Sequence, residues 1–199
     1  MFEVRHRILS YRLSAVVTLW SFSQPIVWNM VIIESINRAD TRLLLWCGKS
    51  HHYPVFVRAV RELSRSGDGY VQLLVPFLLW YFYSAEAHAF LRHCAVAFLL
   101  ERTLYLTLKP SLKRRRPPEV LPAFSSLIQA SDRFSFPSGH SMAAFLLVTL
   151  IVLHFGAAFA VLYFWSACVA CSRVLLGVHF PTDVLAGASL GVSIAFLTI

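Results

Sequence analysis

Charged side chains are scarce in this sequence. Only 14% of the 199 residues are Asp, Glu, Lys or Arg, whereas 57% are hydrophobic, and the mean hydropathy is +0.63. Soluble domains are typically about 25% charged and about 45–50% apolar. The hydrophobic residues also form long runs, so the composition excludes an ordinary soluble domain and predicts an integral membrane protein.

Several sequence patterns that would indicate other kinds of protein are missing. The one closely spaced cysteine pair, Cys168 and Cys171, lies inside the apolar stretch FWSACVACS, where small buried side chains are expected rather than a disulfide or a metal site. There is no HExxH motif and no cluster of carboxylates, so the sequence predicts neither a metal ion nor another cofactor. The N-terminal residues do not resemble a cleaved signal peptide.

Positive charge is in excess, with a formal net charge of +8, and it is densest in KPSLKRRRP, residues 109–117. This cluster lies beside an apolar run and not in a long basic tail or an aromatic-rich stripe. Basic clusters next to a bilayer typically meet anionic head groups or phosphate. We therefore expect a lipid phosphate and the bilayer as partners, and no nucleic acid.

The apolar runs predict an all-α polytopic membrane bundle of about six transmembrane helices. The clear runs are residues 70–83, 88–108, 141–171 and 184–199. The third is too long for one crossing and predicts two helices separated at residues 154–156. In the last run, Gly187 and Gly191 have the GxxxG spacing that lets another helix approach closely.

The N-terminal region, residues 1–68, is harder to interpret than the bundle core at 69–199, and the two together are expected to form one domain. Residues 13–33 are long enough to cross a membrane, but they contain Gln24, Pro25 and Asn29, so they could instead lie in the interface. Residues 34–68 predict interfacial helices followed by a turn at 66–69. The sequence leaves open whether two copies pair as a homodimer.

Three polar clusters lie at the ends of the predicted spans: KPSLKRRRP, then FPSGH at 136–140, then SRVLLGVHFPTD at 172–183. The first ends one span and the second begins the next, so they share a side. The chain then crosses twice before the third cluster. Topology therefore predicts that all three meet at one membrane face.

Each cluster also has a purely structural interpretation. A basic loop can be a topological signal, and Ser138 can be the N-cap of the helix that follows it. Capping does not account for Gly139 and His140 as well, whereas free amides at a helix N-terminus can bind an anion. His179 and Asp183 are four residues apart, so the carboxylate can orient the imidazole.

In this order and spacing, the clusters match KxxxxxxRP, PSGH and SRxxxxxHxxxD. Together they resemble the three signature motifs of the type 2 phosphatidic acid phosphatase family, which is related to the vanadium haloperoxidases. PSGH alone is weak evidence for the family, but the three motifs in this order are highly specific for it. Residues 109–183 show no departure at a signature position. Residues 1–68 match the family less well.

The resemblance implies a metal-independent lipid phosphatase that works through a phosphohistidine. Carried over by position, His179 is the nucleophile, Asp183 activates it, and His140 is the general acid. The phosphoryl oxygens would be held by five further residues, Lys109, Arg116, Ser138, Gly139 and Arg173. Lys113, Arg114 and Arg115 are expected at the lip of the site, against lipid head groups.

The family leaves the substrate open. A polyprenyl diphosphate such as undecaprenyl diphosphate is the first choice, with phosphatidic acid, phosphatidylglycerol phosphate and lipid A phosphates as alternatives. Arg5, Arg7 and Arg12 favour a cytoplasmic N-terminus, which with six spans places the site on the periplasmic or exterior face of a bacterial inner membrane. With five spans the site would face the cytoplasm. Two other classes stay open: a vanadate-dependent oxidase, and a non-catalytic membrane protein that binds an anion.

Overall fold

The structure is a computed structural model that describes residues 33–49, 53–82, 86–122 and 124–199. Within these ranges the regular structure is helical and contains no strand. The elements are α1 (33–48), α2 (Pro54–Arg65), α3 (Tyr70–Phe82), α4 (Glu86–Leu112), α5 (Pro117–Val120), α6 (Gly139–Phe155), α7 (Tyr163–Leu175) and α8 (Pro181–Thr198). The all-α prediction is confirmed for the described residues, while the predicted span at residues 13–33 lies outside them except for its last residue.

The chain divides into two compact units, residues 1–41 and 42–199. All three polar clusters belong to the second unit. The separate N-terminal region that the sequence predicts for residues 1–68 stays a prediction.

Helix α6 is the centre of the second unit and packs against α4, α7 and α8. Met142, Leu146 and Leu150 along α6 are fully buried in its largest apolar cluster. Gly187 and Gly191 of α8 lie directly against the α6 backbone, because a Cβ at either position would overlap the carbonyl oxygen of Ser138 or Met142. The GxxxG spacing therefore has the role the sequence predicts, and it brings the first turn of α8 close to the first turn of α6.

The long apolar run at 141–171 is broken where the sequence predicts. Helix α6 ends at Phe155, and Gly156 adopts a φ of 99°, a left-handed conformation that favours glycine. A 3₁₀ helix, Ala157–Leu162, then leads into α7. The break returns the chain to the end of the bundle at which α6 begins.

Large apolar side chains cover much of the outer surface of the helices. Leu73, Leu99, Phe164 and Leu197 are each 69–82% exposed. A soluble protein rarely leaves such extensive apolar surface in water, whereas hydrocarbon would cover it. Two helical segments, Ala157–Leu175 and Pro181–Thr198, are long and apolar enough to cross a membrane, and Tyr70–Phe82 and Gly139–Phe155 are shorter apolar helices. The count of six spans stays a prediction.

Candidate active site

His179 and Asp183 form a buried pair at the start of α8. His179 lies in the loop between α7 and α8, and Asp183 lies in the first turn of α8; they are 2% and 0% exposed. Asp183 Oδ2 accepts a hydrogen bond from the Phe180 amide at 2.8 Å and lies 3.6 Å from His179 Nδ1, slightly beyond hydrogen-bond length. The carboxylate therefore faces Nδ1, and the ring nitrogen on the opposite side, Nε2, is the one available as a nucleophile.

The surroundings of His179 keep its imidazole neutral. Burial lowers the pKa of His179 to about 4, and the positive charges of Arg116 and Arg173 act in the same direction. Asp183 opposes this shift, since a nearby carboxylate favours the protonated ring. A neutral imidazole is the form with a lone pair for attack on phosphorus.

We expect His179 to stay uncharged throughout the physiological pH range. Its pKa is lower in the folded protein than in the unfolded chain, so between about pH 6.5 and 4 the unfolded chain binds more protons. His179 therefore lowers the free energy of unfolding as the pH falls through that window. Nitrogen NMR of labelled histidine, with the signal assigned by its loss in His179→Gln, should show a neutral ring at pH 5.5. A titration midpoint of His179 near pH 6.5 would contradict the prediction that burial keeps its ring neutral.

Arg114 touches the same carboxylate, and the expectation that it lies at the lip of the site is wrong. Its Nη1 donates to Asp183 Oδ1 at 2.5 Å and to Thr182 Oγ1 at 2.7 Å. Its guanidinium also stacks on the Phe180 ring at 4.5 Å. The residue therefore fixes Asp183 from the side opposite His179, a role that no spacing in the basic cluster indicates.

Lys109 and Arg116, the first and last basic residues of the first signature, both bind Asp132. Lys109 Nζ and Arg116 Nη2 each lie 2.6 Å from one of its carboxylate oxygens, and the Tyr105 hydroxyl donates to it as well. Burial alone would raise the pKa of Asp132, but these hydrogen bonds outweigh it and hold the pKa well below its ordinary value. Sequence reasoning missed Asp132, because an isolated carboxylate in the loop before FPSGH gives no periodic or spacing signal.

Arg116 also connects the first signature to the third. Its Nη1 donates to the carbonyl oxygen of Val178 at 2.6 Å, and its Nε donates to the carbonyl oxygen of Asp132 at 3.0 Å. Val178 is the residue before His179. Arg116 therefore fixes the backbone that carries His179, while its predicted role as a direct phosphate ligand stays a prediction.

The second signature begins α6, and Ser138 is the N-cap residue of this helix, as the sequence predicts. The Ser138 side chain makes no capping hydrogen bond; its hydroxyl accepts one from Ser141 Oγ at 3.0 Å. Its amide instead donates to the Asp183 carbonyl oxygen at 3.0 Å, which joins the second and third signatures. Gly139 is required by packing, because a Cβ there would lie 2.6 Å from Cε2 of Tyr105.

His140 and Arg173 line one cleft of about 270 Å³, so the second and third signatures meet there. Arg173 is 6% exposed and donates through Nη1 to Ser64 Oγ at 2.6 Å. Among the described residues, its buried Nε has no hydrogen-bond partner. A buried guanidinium with an unsatisfied donor at a cleft is suited to an anionic ligand.

The three signatures therefore lie together in space, as the order of the predicted spans implies. A family model described as the PAP2 superfamily matches residues 90–199, more than half of the chain and all three signatures. The chain belongs to this superfamily, and the resemblance inferred from the signatures is confirmed.

Two of the curated relatives of this chain are named as phosphatases. Phosphatidylglycerophosphatase B of Bacillus subtilis is 40% identical over 113 residues, which are 51% of this chain and 53% of that protein. The chain thus spans about half the length of that relative. Decaprenylphosphoryl-5-phosphoribose phosphatase of Mycobacterium tuberculosis is 33% identical over 152 residues, 71% of this chain and 77% of that protein. The prediction of a phosphatase is confirmed at the level of the family.

Two solved structures have the same fold. The crystal structure of a transmembrane PAP2 type phosphatidylglycerolphosphate phosphatase from Bacillus subtilis superposes with a TM-score of 0.66 at 27% identity, covering 82% of this chain and 84% of that one. Aquifex aeolicus LpxE superposes with a TM-score of 0.68 at 24% identity, covering 79% of this chain and 92% of that one, which supports the fold alone.

Proposed function

We propose that this protein is a membrane lipid phosphatase that transfers a phosphoryl group from its substrate to His179 and then to water. The observation that carries the proposal is the buried His179, neutral and facing Asp183 through Nδ1. Asp183 also accepts the Phe180 amide at the start of α8, but that contact does not require a buried histidine beside it, whereas a nucleophile needs an orienting partner. An anion-binding protein without turnover would need the cationic residues but not this pair.

In the first step, the Nε2 lone pair of His179 attacks phosphorus and the bond to the leaving oxygen breaks. The electron pair goes to that oxygen, and His140 supplies its proton. Asp183 stabilises the positive charge that develops on the His179 ring. Arg173 and the amides at the start of α6 would bind the phosphoryl oxygens, with Lys109 and Arg116 adding positive charge nearby.

In the second step, water attacks the phosphohistidine. His140, now neutral, takes the proton from this water, and the phosphorus–nitrogen bond breaks with its electron pair returning to His179. The products are inorganic phosphate and the starting form of both histidines. No metal ion is required for charge balance in either step.

The shape of the site favours an amphiphilic substrate. A cleft of about 370 Å³ beside His140 shares Gly69, Glu101, Arg102 and Ala143 with a second groove of about 390 Å³ between α3 and α4. The rest of that groove is mainly apolar, lined by Leu73, Pro76, Leu91 and Phe98 among others. A phosphate in the polar cleft could therefore carry a hydrocarbon chain that lies in the groove.

Within the lipid phosphates, a polyprenyl diphosphate such as undecaprenyl diphosphate is the proposed substrate. The name of the Mycobacterium tuberculosis relative includes a polyprenyl chain on phosphate, and the mainly apolar lining of the groove suits a hydrocarbon chain. Phosphatidylglycerol phosphate is the second candidate, because the Bacillus subtilis relative is named for it. We also propose that the protein lies in a bacterial inner membrane with the site on the exterior face, following the N-terminal arginines.

A lipid panel assayed in excess chelator tests the proposed function. We expect phosphate release from undecaprenyl diphosphate with a higher kcat/KM than from phosphatidic acid, phosphatidylglycerol phosphate or a lipid A phosphate, and no loss of rate in EDTA. Preference for phosphatidylglycerol phosphate would select the second candidate. A soluble phosphomonoester preferred over every lipid, or a rate that disappears with EDTA, would overturn the proposal.

A further inference from the structure

A carboxylate outside all three signatures contacts the proposed proton donor. Asp68 lies in the turn between α2 and α3, and its Oδ1 is 2.6 Å from His140 Nε2. Seventy-two positions separate the two residues in the chain. The Asp68 side chain is 42% exposed and that of His140 is 22% exposed, so the pair lies at the cleft surface and is open to a substrate.

The turn that carries Asp68 is held in place by several contacts with the rest of the site. Arg173 donates to Ser64 Oγ on one side of the turn, and Trp165 Nε1 donates to Ser66 Oγ at 3.0 Å. A Cβ on Gly67 would lie 2.7 Å from Cγ1 of Val169, so only glycine allows this close approach to α7. These contacts with α7 hold the backbone of the turn, and the backbone in turn places the Asp68 carboxylate next to His140.

Other charged and titratable groups face His140 from every neighbouring element, and most of them are basic. They are Arg61 and Arg65 of α2, Arg173 of α7, and Glu101, Arg102, Tyr105 and Lys109 of α4. Asp68 is the carboxylate in hydrogen-bond contact with the His140 ring. Without it, His140 would carry a positive charge next to basic side chains with no directly bound counter-charge.

We propose that Asp68 is the positioning residue of His140, holding the Nε2 proton so that Nδ1 is the nitrogen that exchanges a proton with the substrate. This inference rests on the proposed function, in which His140 is the general acid. When both ring nitrogens are protonated, Nδ1–H gives its proton to the leaving oxygen as the phosphorus–oxygen bond breaks. Nε2–H stays bound to Asp68, so bare Nδ1 then takes the proton from the attacking water.

Two substrates with different leaving groups distinguish a role of Asp68 in proton transfer from a role only in the stability of the fold. An alkyl phosphate has a poor leaving group that needs a proton, whereas a nitrophenyl phosphate releases a stable anion that does not. We expect Asp68→Asn to lower kcat for the alkyl ester by roughly 10²-fold, and kcat for the nitrophenyl ester by less than about threefold. Asp68→Glu should recover part of the lost rate, because it restores a carboxylate.

Two further variants make the outcomes distinguishable. Glu62→Gln is the matched control, since Glu62 lies on the same segment but forms an exposed ion pair with Arg65, and we expect no change with either ester. His140→Ala should show the same preference as Asp68→Asn for the nitrophenyl ester. If His140→Ala shows no such preference, the general-acid role itself fails.

One pair of results would overturn the inference and leave the proposed function intact. His140→Ala would lose activity on the alkyl ester only, whereas Asp68→Asn would lose activity equally on both esters or on neither. Equal loss would mean that Asp68 only supports the fold. If Asp68→Asn unfolds in detergent, Asp68→Glu carries the test: a smaller loss confined to the alkyl ester agrees with the inference, and an equal loss on both esters contradicts it.

Discussion

Replacing His179 with alanine should abolish turnover, lowering kcat by about 10⁴-fold or more, because no other group can form the covalent intermediate. His179 is buried and faces Asp183. We expect the cationic residues, and not the lone pair of His179, to bind the substrate. The loss should therefore fall on kcat, with KM for a lipid phosphate little changed. Phosphate release from detergent-solubilised protein measures both parameters.

His88→Ala is the matched control for this prediction, since His88 is an exposed histidine on α4 whose ring meets the edge of Trp80. It should retain the activity of the unchanged protein. Turnover in His179→Ala within tenfold of that control would contradict the assignment of the nucleophile.

Replacing Asp132 with alanine should be the most destabilising single change in the site. It leaves Lys109 and Arg116 buried without their shared counter-charge, and it also removes the acceptor for the Tyr105 hydroxyl. Breaking a buried ion pair by removing one partner costs about 3–5 kcal/mol, and the partial exposure of Asp132 places this case near the lower figure. Thermal unfolding in detergent should show a clearly lower midpoint.

Glu119→Gln serves as the comparison for Asp132→Ala, because Glu119 is an exposed carboxylate on the nearby helix α5. It should leave the unfolding midpoint unchanged. An Asp132→Ala midpoint equal to that of Glu119→Gln would mean that the two cations do not need this carboxylate. Lys109 and Arg116 would then be available to bind phosphate directly.

The sequence predicts most of the fold because the hydrophobic runs are long and their ends carry clear signals. Gly156 ends α6, and Gly187 and Gly191 mark the face of α8 that contacts α6. The meeting of the three signatures also follows from the order of the helices alone. These features depend on the local residue composition and on the order of the helices along the chain, and both can be read from one sequence.

The partners of the signature residues could not be predicted in the same way. Asp132 binds Lys109 and Arg116 from a loop without regular structure, and Asp68 reaches His140 from a turn that three helices separate from it in the chain. Such contacts depend on how the loops fold back over the site, which neither spacing nor periodicity indicates. For the same reason, Arg114 could not be distinguished from its basic neighbours as the residue that contacts Asp183.

The central claim is that the phosphoryl group passes through His179, and trapping the intermediate tests it most directly. Protein mixed with a lipid phosphate labelled at phosphorus is denatured in alkali within the first turnover, in the presence of EDTA. Phosphohistidine survives alkali and is lost in acid, so we predict an alkali-stable, acid-labile label on the peptide containing His179, and none in His179→Ala. A protein that turns over substrate without forming this label, or that carries it on a residue other than His179, would contradict the account.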